Sequence, residues 1–338
     1  MKNLFTSAVA LMSFGFASAQ ANLDVSTQIG NNNDLFVNQT GLANMNFLTQ
    51  DGNRNYATVD QTGILNINTA LSQGNRNDID VDQIGILNMN NTEQYGNRND
   101  ASTYQLGIMN SVDQLQVGNR NDASAVQVGA FNEAVQEQYG NRNDASTFQL
   151  GLGNYSYQGQ VGNRNDASVV QLGALNEAYQ IQMGNRNDAS SLQVGLGNFS
   201  WQQQVGNRND ASVIQLGMDN DAYQIQVGNR NDALALQVGS DNEIWQEQYG
   251  NRNSATQIQF GSDNYAESWQ VGNDNTTIGL QIGNDNYLEQ WQLGNGNVAI
   301  DLQLGSDNFA HIHQTGTSHV HLGTQIGNNN YASVHQSN

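Results

Sequence analysis

Gln171-Leu172-Gly173-Ala174-Leu175-Asn176-Glu177-Ala178-Tyr179-Gln180-Ile181-Gln182 is the stretch from which the rest of the chain can be written. It holds a glutamine, a glycine two places on, an asparagine three places after that, and a second glutamine eleven residues after the first. Stepping outward by elevens, positions 28 to 336 give 29 glutamine slots, of which only Ser72 departs. All 28 glycine slots from 30 to 327 hold Gly, and of the 28 asparagine slots from 33 to 330 only His319 departs. A short period sustained from end to end is the mark of stacked units, each of which needs its neighbours for stability.

A second period of 22 lies over the first. Arg54, Arg76, Arg98, Arg120, Arg142, Arg164, Arg186, Arg208, Arg230 and Arg252 follow one another at that interval. The physical unit is therefore a pair of elevens, one with a polar turn such as Gly162-Asn163-Arg164-Asn165-Asp166, the other with a blander one such as Gly173-Ala174-Leu175-Asn176.

Segments between turns, such as Asn165 to Gln171 and Asn176 to Gln182, alternate in side-chain character with period two and carry no helical stripe, so each reads as a short strand. Gly-x-x-Asn supplies the turn, since glycine tolerates positive φ and asparagine is the next most tolerant; Gly30, Gly41, Gly162 and Gly173 are examples. Two strands and two turns close one coil. The fold expected is all-β: a two-sided solenoid of about 14 coils of 22 residues, on the order of 67 Å long at the inter-strand spacing of about 4.8 Å. Residue n then lies over residue n+22, and like amides form cross-β ladders. The phase beginning with Asp166 or Glu177 could not be buried unpaired, so the Asn/Ala/Gln phase faces inward. The ladder and core residues expected on this reading include Gln28, Asn33, Gln39, Asn44, Gln50, Asn55, Gln171, Asn176, Gln182 and Asn187.

Residues 1–19 resemble a secretory signal, with Lys2, an apolar run from Leu4 to Phe16, and Ala17-Ser18-Ala19 at the cleavage site, leaving 20–338 as the repeat domain. The run is too short to span a bilayer, and no later segment is apolar for long enough, so export without membrane insertion is expected. Without Lys2, ten arginines face 31 acidic residues, a net charge of −21. This charge argues against a nucleic-acid partner. There is no cysteine to staple the fold, and no proline to interrupt backbone pairing.

The pattern Gln-x-Gly-x-x-Asn-x-Ala-x-x-x-Gln, repeated through residues 22–338, resembles the curlin repeat of bacterial curli amyloid. The resemblance implies an extracellular, cell-surface fibre subunit of the biofilm matrix, exported unfolded through an outer-membrane pore with accessory chaperones and polymerised on a nucleator subunit. Curlin repeats often carry serine where this chain has asparagine before the first strand of a pair, and the repeats here are more numerous than in the best-known members.

The edges of the stack carry the functional expectation. Gln28 and Gln39 at one end, and Gln325 and Gln336 at the other, stand in register close to the termini, so both rims read as uncapped edges suited to head-to-tail templating of a second copy. Regular ladders favour the major structural subunit; the alternatives are a minor nucleating subunit and a monomeric solenoid adhesin. Scattered threonines such as Thr58, Thr69 and Thr92 do not form the flat array that ice binding calls for.

The arginine column is offset in charge by Asp78, Asp100, Asp122, Asp144, Asp166, Asp188, Asp210 and Asp232, each two residues after an arginine. It reads as a solvated turn, or as a stripe that slows premature assembly or binds anionic matrix components. The other turn is apolar early (Ile64, Leu65, Ile86, Leu87, Ile108, Met109, Phe131, Leu175), which suits bundling or adhesion, and acidic later (Asp241, Asp263, Asp307). All five histidines lie in the last coils. His311, His313 and His335 are weak metal candidates, with His313 expected over His335, but a degenerate, pH-sensitive terminal repeat is the favoured reading. His319 and His321 fall in inward phases and should interrupt the ladders. No cofactor is called for. Serines, aspartates and histidines fall at repeat positions rather than converging as a catalytic triad, so no enzyme is expected.

Overall fold

A computed structural model describes residues 21–338, and the expected signal segment lies outside the described residues. Twenty-nine strands run from β1 (Leu23–Asn31) to β29 (Tyr331–Ser337). Odd-numbered strands form one 15-stranded sheet and even-numbered strands a 14-stranded sheet, each in sequence order. Consecutive strands thus belong to opposite sheets, and each odd–even pair is one coil. All pairings are parallel with a shift of 22: β14 (Asp166–Ala174) lies on β16 (Asp188–Leu196), with Gln171 against Gln193 and Gly173 against Gly195. This is the two-sided solenoid that the repeat implies.

The inward phase is the Asn/Ala/Gln phase. In β14, Ala167, Val169 and Gln171 are buried, while Asp166 is exposed and Ser168 and Val170 are half-buried. The space between sheets admits little bulk, so alanine recurs at the first inward position. Where a large residue enters, small ones surround it: Ile244 packs with Val213, Ala222, Ala235 and Ala266, and Leu288 and Ile312 with Ala299 and Ala310. Close packing across so thin a core requires this exchange of volumes.

The glycines lie elsewhere than the turn reading placed them. Apart from Gly305 and Gly327, which lie just past strand ends, each repeat glycine is inside a strand and paired with the glycine of an adjacent coil, as Gly173 is with Gly195. Its φ is +131°, and a Cβ there would stand 1.9 Å from the Gly195 carbonyl oxygen. Glycine is thus required twice over, by a backbone region closed to L-residues and by the approach of the next coil. The chain reverses at the two residues that follow the strand. The first of these adopts the left-handed conformation, as in Arg164 (φ 58°) and Leu175 (φ 55°), and the second is the inward asparagine.

Candidate functional site

In the middle of the rod each slot glutamine uses its whole carboxamide. Gln182 Nε2 donates to Gln204 Oε1 at 3.0 Å and to the carbonyl oxygen of Asp166 in the facing sheet at 2.7 Å, while its own Oε1 accepts from Gln160. Gln171 donates likewise to Gln193 at 2.8 Å, and Gln50, though it also donates across the coil to the Asp34 carbonyl, meets only Ser72 above it. The asparagine column fastens the corners. Asn165 Oδ1 accepts the main-chain N–H of Asn187 at 3.1 Å, and Asn165 Nδ2 donates to the Gly184 carbonyl of the next coil at 3.1 Å. Asn176 does the same at the other edge, and its side chain also donates to Asn154. Asn44 and Asn55 sit in the same network. Burial of so many amides is tolerable because every coil supplies the partners that the next one needs.

Two further ladders escaped the sequence reading. Gln114, Gln136, Gln158, Gln180, Gln202, Gln224 and Gln246 form a second inward glutamine column, with bonds of 2.8–3.0 Å. The signal was present as seven glutamines at intervals of 22, in a position that other coils of the same sheet fill with residues as different as Leu48, Ala70, Thr92, Ser268 and Ile312. An exposed asparagine ladder, including Asn141, Asn163, Asn185 and Asn207, runs beside the arginines with bonds of 2.9–3.0 Å.

At the rims the ladders stop with opposite polarity. Gln28 and Gln39 donate inward, to Gln50 at 2.8 Å and Gln61 at 2.7 Å, which leaves their Oε1 atoms facing outward. Gln325 and Gln336 accept from Gln303 and Gln314 and donate only to the Phe309 and Val320 carbonyls, which leaves one amide N–H of each facing outward. The inner asparagine column runs the other way: Asn55 N–H donates to Asn33 Oδ1 at 3.0 Å, and the last member, Asn330, donates its N–H to Asn308. Among the described residues, β1, β2 (Asp34–Leu42), β28 (Val320–Ile326) and β29 each have a strand partner on one side only.

The ten arginines are all exposed on one edge, and those from Arg76 to Arg252 line, with the asparagine ladder, two grooves of about 950 and 700 Å³. The expected neutralisation by the following aspartates does not occur as contact. Among the described residues the only arginine ion pair is Arg252–Asp274, at 2.7 Å. The inward asparagine intervenes, and the aspartates begin the strands on the outer face as a column of their own. Burial, with the repulsion of neighbouring aspartates, raises Asp78, Asp122 and Asp188 to about 6. On the opposite edge Ile64, Leu65, Ile108, Met109, Phe131, Leu152, Leu175 and Met218 are exposed, Phe131, Leu175 and Met218 by more than half.

The histidines separate. His311 binds Glu289 at 2.7 Å, and His321 binds the buried Asp301 at 2.9 Å. His313 meets His335 edge-on, with ring centroids 4.9 Å apart. No group of three His, Asp or Glu able to hold a metal ion is present among the described residues. His319 does not break the corner. Its N–H takes Asn297 Oδ1 at 3.0 Å, and its ring meets the Thr315 carbonyl four residues back at 3.0 Å, where asparagine would put its amide.

The fold and these ladders define a repetitive β-solenoid of structural type, stabilised along its axis by stacked amides. The profile of the curlin associated repeat matches residues 118–146, 140–173 and 162–190. Over residues 118–190 the chain therefore carries curlin-associated repeats, a match that supports a curlin-family protein. Among curated proteins no match is found.

Proposed function

We propose that the protein is the structural subunit of an extracellular amyloid fibre that grows head-to-tail and contributes to biofilm matrix and adhesion. The observation that carries this is the complementarity of the two rims. One offers glutamine oxygens at Gln28 and Gln39; the other offers glutamine N–H groups at Gln325 and Gln336, together with an asparagine oxygen at Asn330. A second copy placed on either rim continues each ladder in its own direction and pairs the unpaired strands. The contact uses different surfaces on the two molecules, so it generates an open filament rather than a closed dimer. Identical coils make every rim a template for the next chain. A nucleating subunit would start this growth and a secretion pore would deliver the chain; both partners follow from the curlin resemblance.

Thioflavin fluorescence of the purified chain 20–338 tests the reading. Growth after a lag, with the lag removed by fibre fragments, is expected. The double substitution Gln325→Leu, Gln336→Leu removes the outward N–H groups and should slow elongation on fragments while leaving β-structure intact. A fully ordered monomer that persists at high concentration and ignores fragments would overturn it.

A further inference from the structure

We infer that the arginine edge is a binding groove for a linear polycarboxylate, a single extended acidic glycan chain lying along the rod axis. Arg54 to Arg252 present one guanidinium per coil, hence one about every 4.8 Å. All ten are exposed, and nine have no carboxylate within ion-pair distance among the described residues. A column of like charge is unfavourable by itself and is relieved by a ligand that brings one anion per coil.

The backbone says that arginine is there for its side chain. Each of the ten holds φ between 57° and 60°, the left-handed region that costs an L-residue on the order of 1 kcal/mol. In the same column Asn32 and Gly296 hold that conformation with the residue types that tolerate it best, so the turn itself asks for no arginine. The fold also shows how a carboxylate docks there. One coil beyond the last arginine, Asp274 occupies the equivalent turn and accepts from Arg252 Nε and Nη2, both at 2.7 Å. That bidentate pair spans one coil, the step an axial ligand would repeat, and guanidinium is the side chain suited to it. Beside the guanidiniums, each asparagine of the exposed ladder gives one amide N–H to its neighbour and keeps the second to donate to a ligand oxygen or hydroxyl.

The surroundings select a narrow ligand. The column Asp78 to Asp232 flanks the groove and repels an anion wide enough to reach it. Duplex nucleic acid is such an anion, and its phosphates recur at about 3.4 Å per strand, out of step with the coils. A glycan with one carboxylate per extended sugar repeats on the scale of the coil and fits between.

The site lies along the flank, so it is independent of growth at the rims and would be present on a single rod. Binding of fluorescent polygalacturonate to the full chain, measured by anisotropy, is the test, with dextran and duplex DNA as competitors. The fourfold substitution Arg164→Asn, Arg186→Asn, Arg208→Asn, Arg230→Asn removes charge while leaving the turns a residue they accept, as Asn32 and Asn329 show. Polygalacturonate should bind with an affinity that falls steeply with salt, resist dextran, and weaken about tenfold or more in the variant. Unchanged affinity in the folded variant, absence of binding at low salt, or displacement by DNA at lower concentration than by unlabelled polygalacturonate would overturn the proposal.

Discussion

Gln202-Gln203-Gln204 offers a test of the ladders within a single strand, because the same side chain faces inward, outward and inward again. Gln204 is fully buried. It donates to Gln226 Oε1 at 3.0 Å and to the Asp188 carbonyl at 2.7 Å, and accepts from Gln182 at 3.0 Å. Gln204→Leu keeps nearly the same volume, so the cost comes from three buried groups that lose a partner: the Gln226 oxygen, the Asp188 carbonyl and one N–H of Gln182. At about 1–3 kcal/mol for each orphaned group, the total is roughly 3–9 kcal/mol, with small shifts of the neighbouring amides favouring the lower part of that range. Gln203 is half-buried on the outer face, and Gln203→Leu should change stability by less than about 0.5 kcal/mol. Guanidinium unfolding of both variants, with hydrogen exchange read for residues 182–226, measures the difference. Equal midpoints, or equal protection of the Asp188 and Gln226 coils, would refute the claim that amide ladders rather than packed volume hold the core.

Ser72 is a natural break in the same column. Its hydroxyl and Gln94 Oε1 are buried without partners, so Ser72→Gln should raise stability by about 1–3 kcal/mol, and a lower unfolding midpoint would count against the ladder account. Two glycines two residues apart separate the roles of close approach and turn. Gly294→Ala places a Cβ 1.8 Å from the Gly316 oxygen and should abolish ordered stacking locally, whereas Gly296→Ala meets nothing closer than 3.7 Å and adopts the conformation Ala43 already holds. Circular dichroism and seeded growth should therefore distinguish them sharply; equal behaviour would sink the argument. The aspartate column makes the rod acid-favouring. Carboxyls raised to about 6 by burial and mutual repulsion, against about 3.9 unfolded, contribute stability that is complete below about pH 4 and lost as pH rises through 6. The denaturation midpoint should be higher at pH 4 than at pH 7, with the dependence weakened in Asp122→Asn; a midpoint that falls on acidification contradicts the sign.

How much was legible in the sequence follows from what a strict period can encode. Register, the parallel stack and the inward phase come directly from it, since a shift of 22 superposes identical residues and only one phase lacks charge at its start. The position of the glycines was not legible. Gly-x-x-Asn reads as a turn by residue preference, yet Gly173 pairs in a strand, because the requirement came from the neighbouring coil's carbonyl, which is not visible in one repeat. The Arg–Asp offset failed for a related reason. Residues two apart are close along the chain, but Asn165 turns inward between Arg164 and Asp166, so like residues meet their copies one coil away sooner than they meet each other.

The same logic explains why histidine was misjudged as an interruption and why the rims matter. A ladder tests a residue only for what it offers upward and downward. His319 offers an N–H to Asn297 of the preceding coil, and its ring meets the Thr315 carbonyl within its own corner, so the corner accepts it. Ser72 offers too little reach, so its hydroxyl and the Gln94 Oε1 are left unpaired. By this criterion the terminal coils are as well formed as the interior ones in one direction and unmet in the other. The glutamine N–H groups at one rim and oxygens at the opposite rim are the two halves of a bond that the interior makes at nearly every coil. On the proposed function, a further copy of the chain supplies the missing half in the same register, which is the physical basis for growth from the ends.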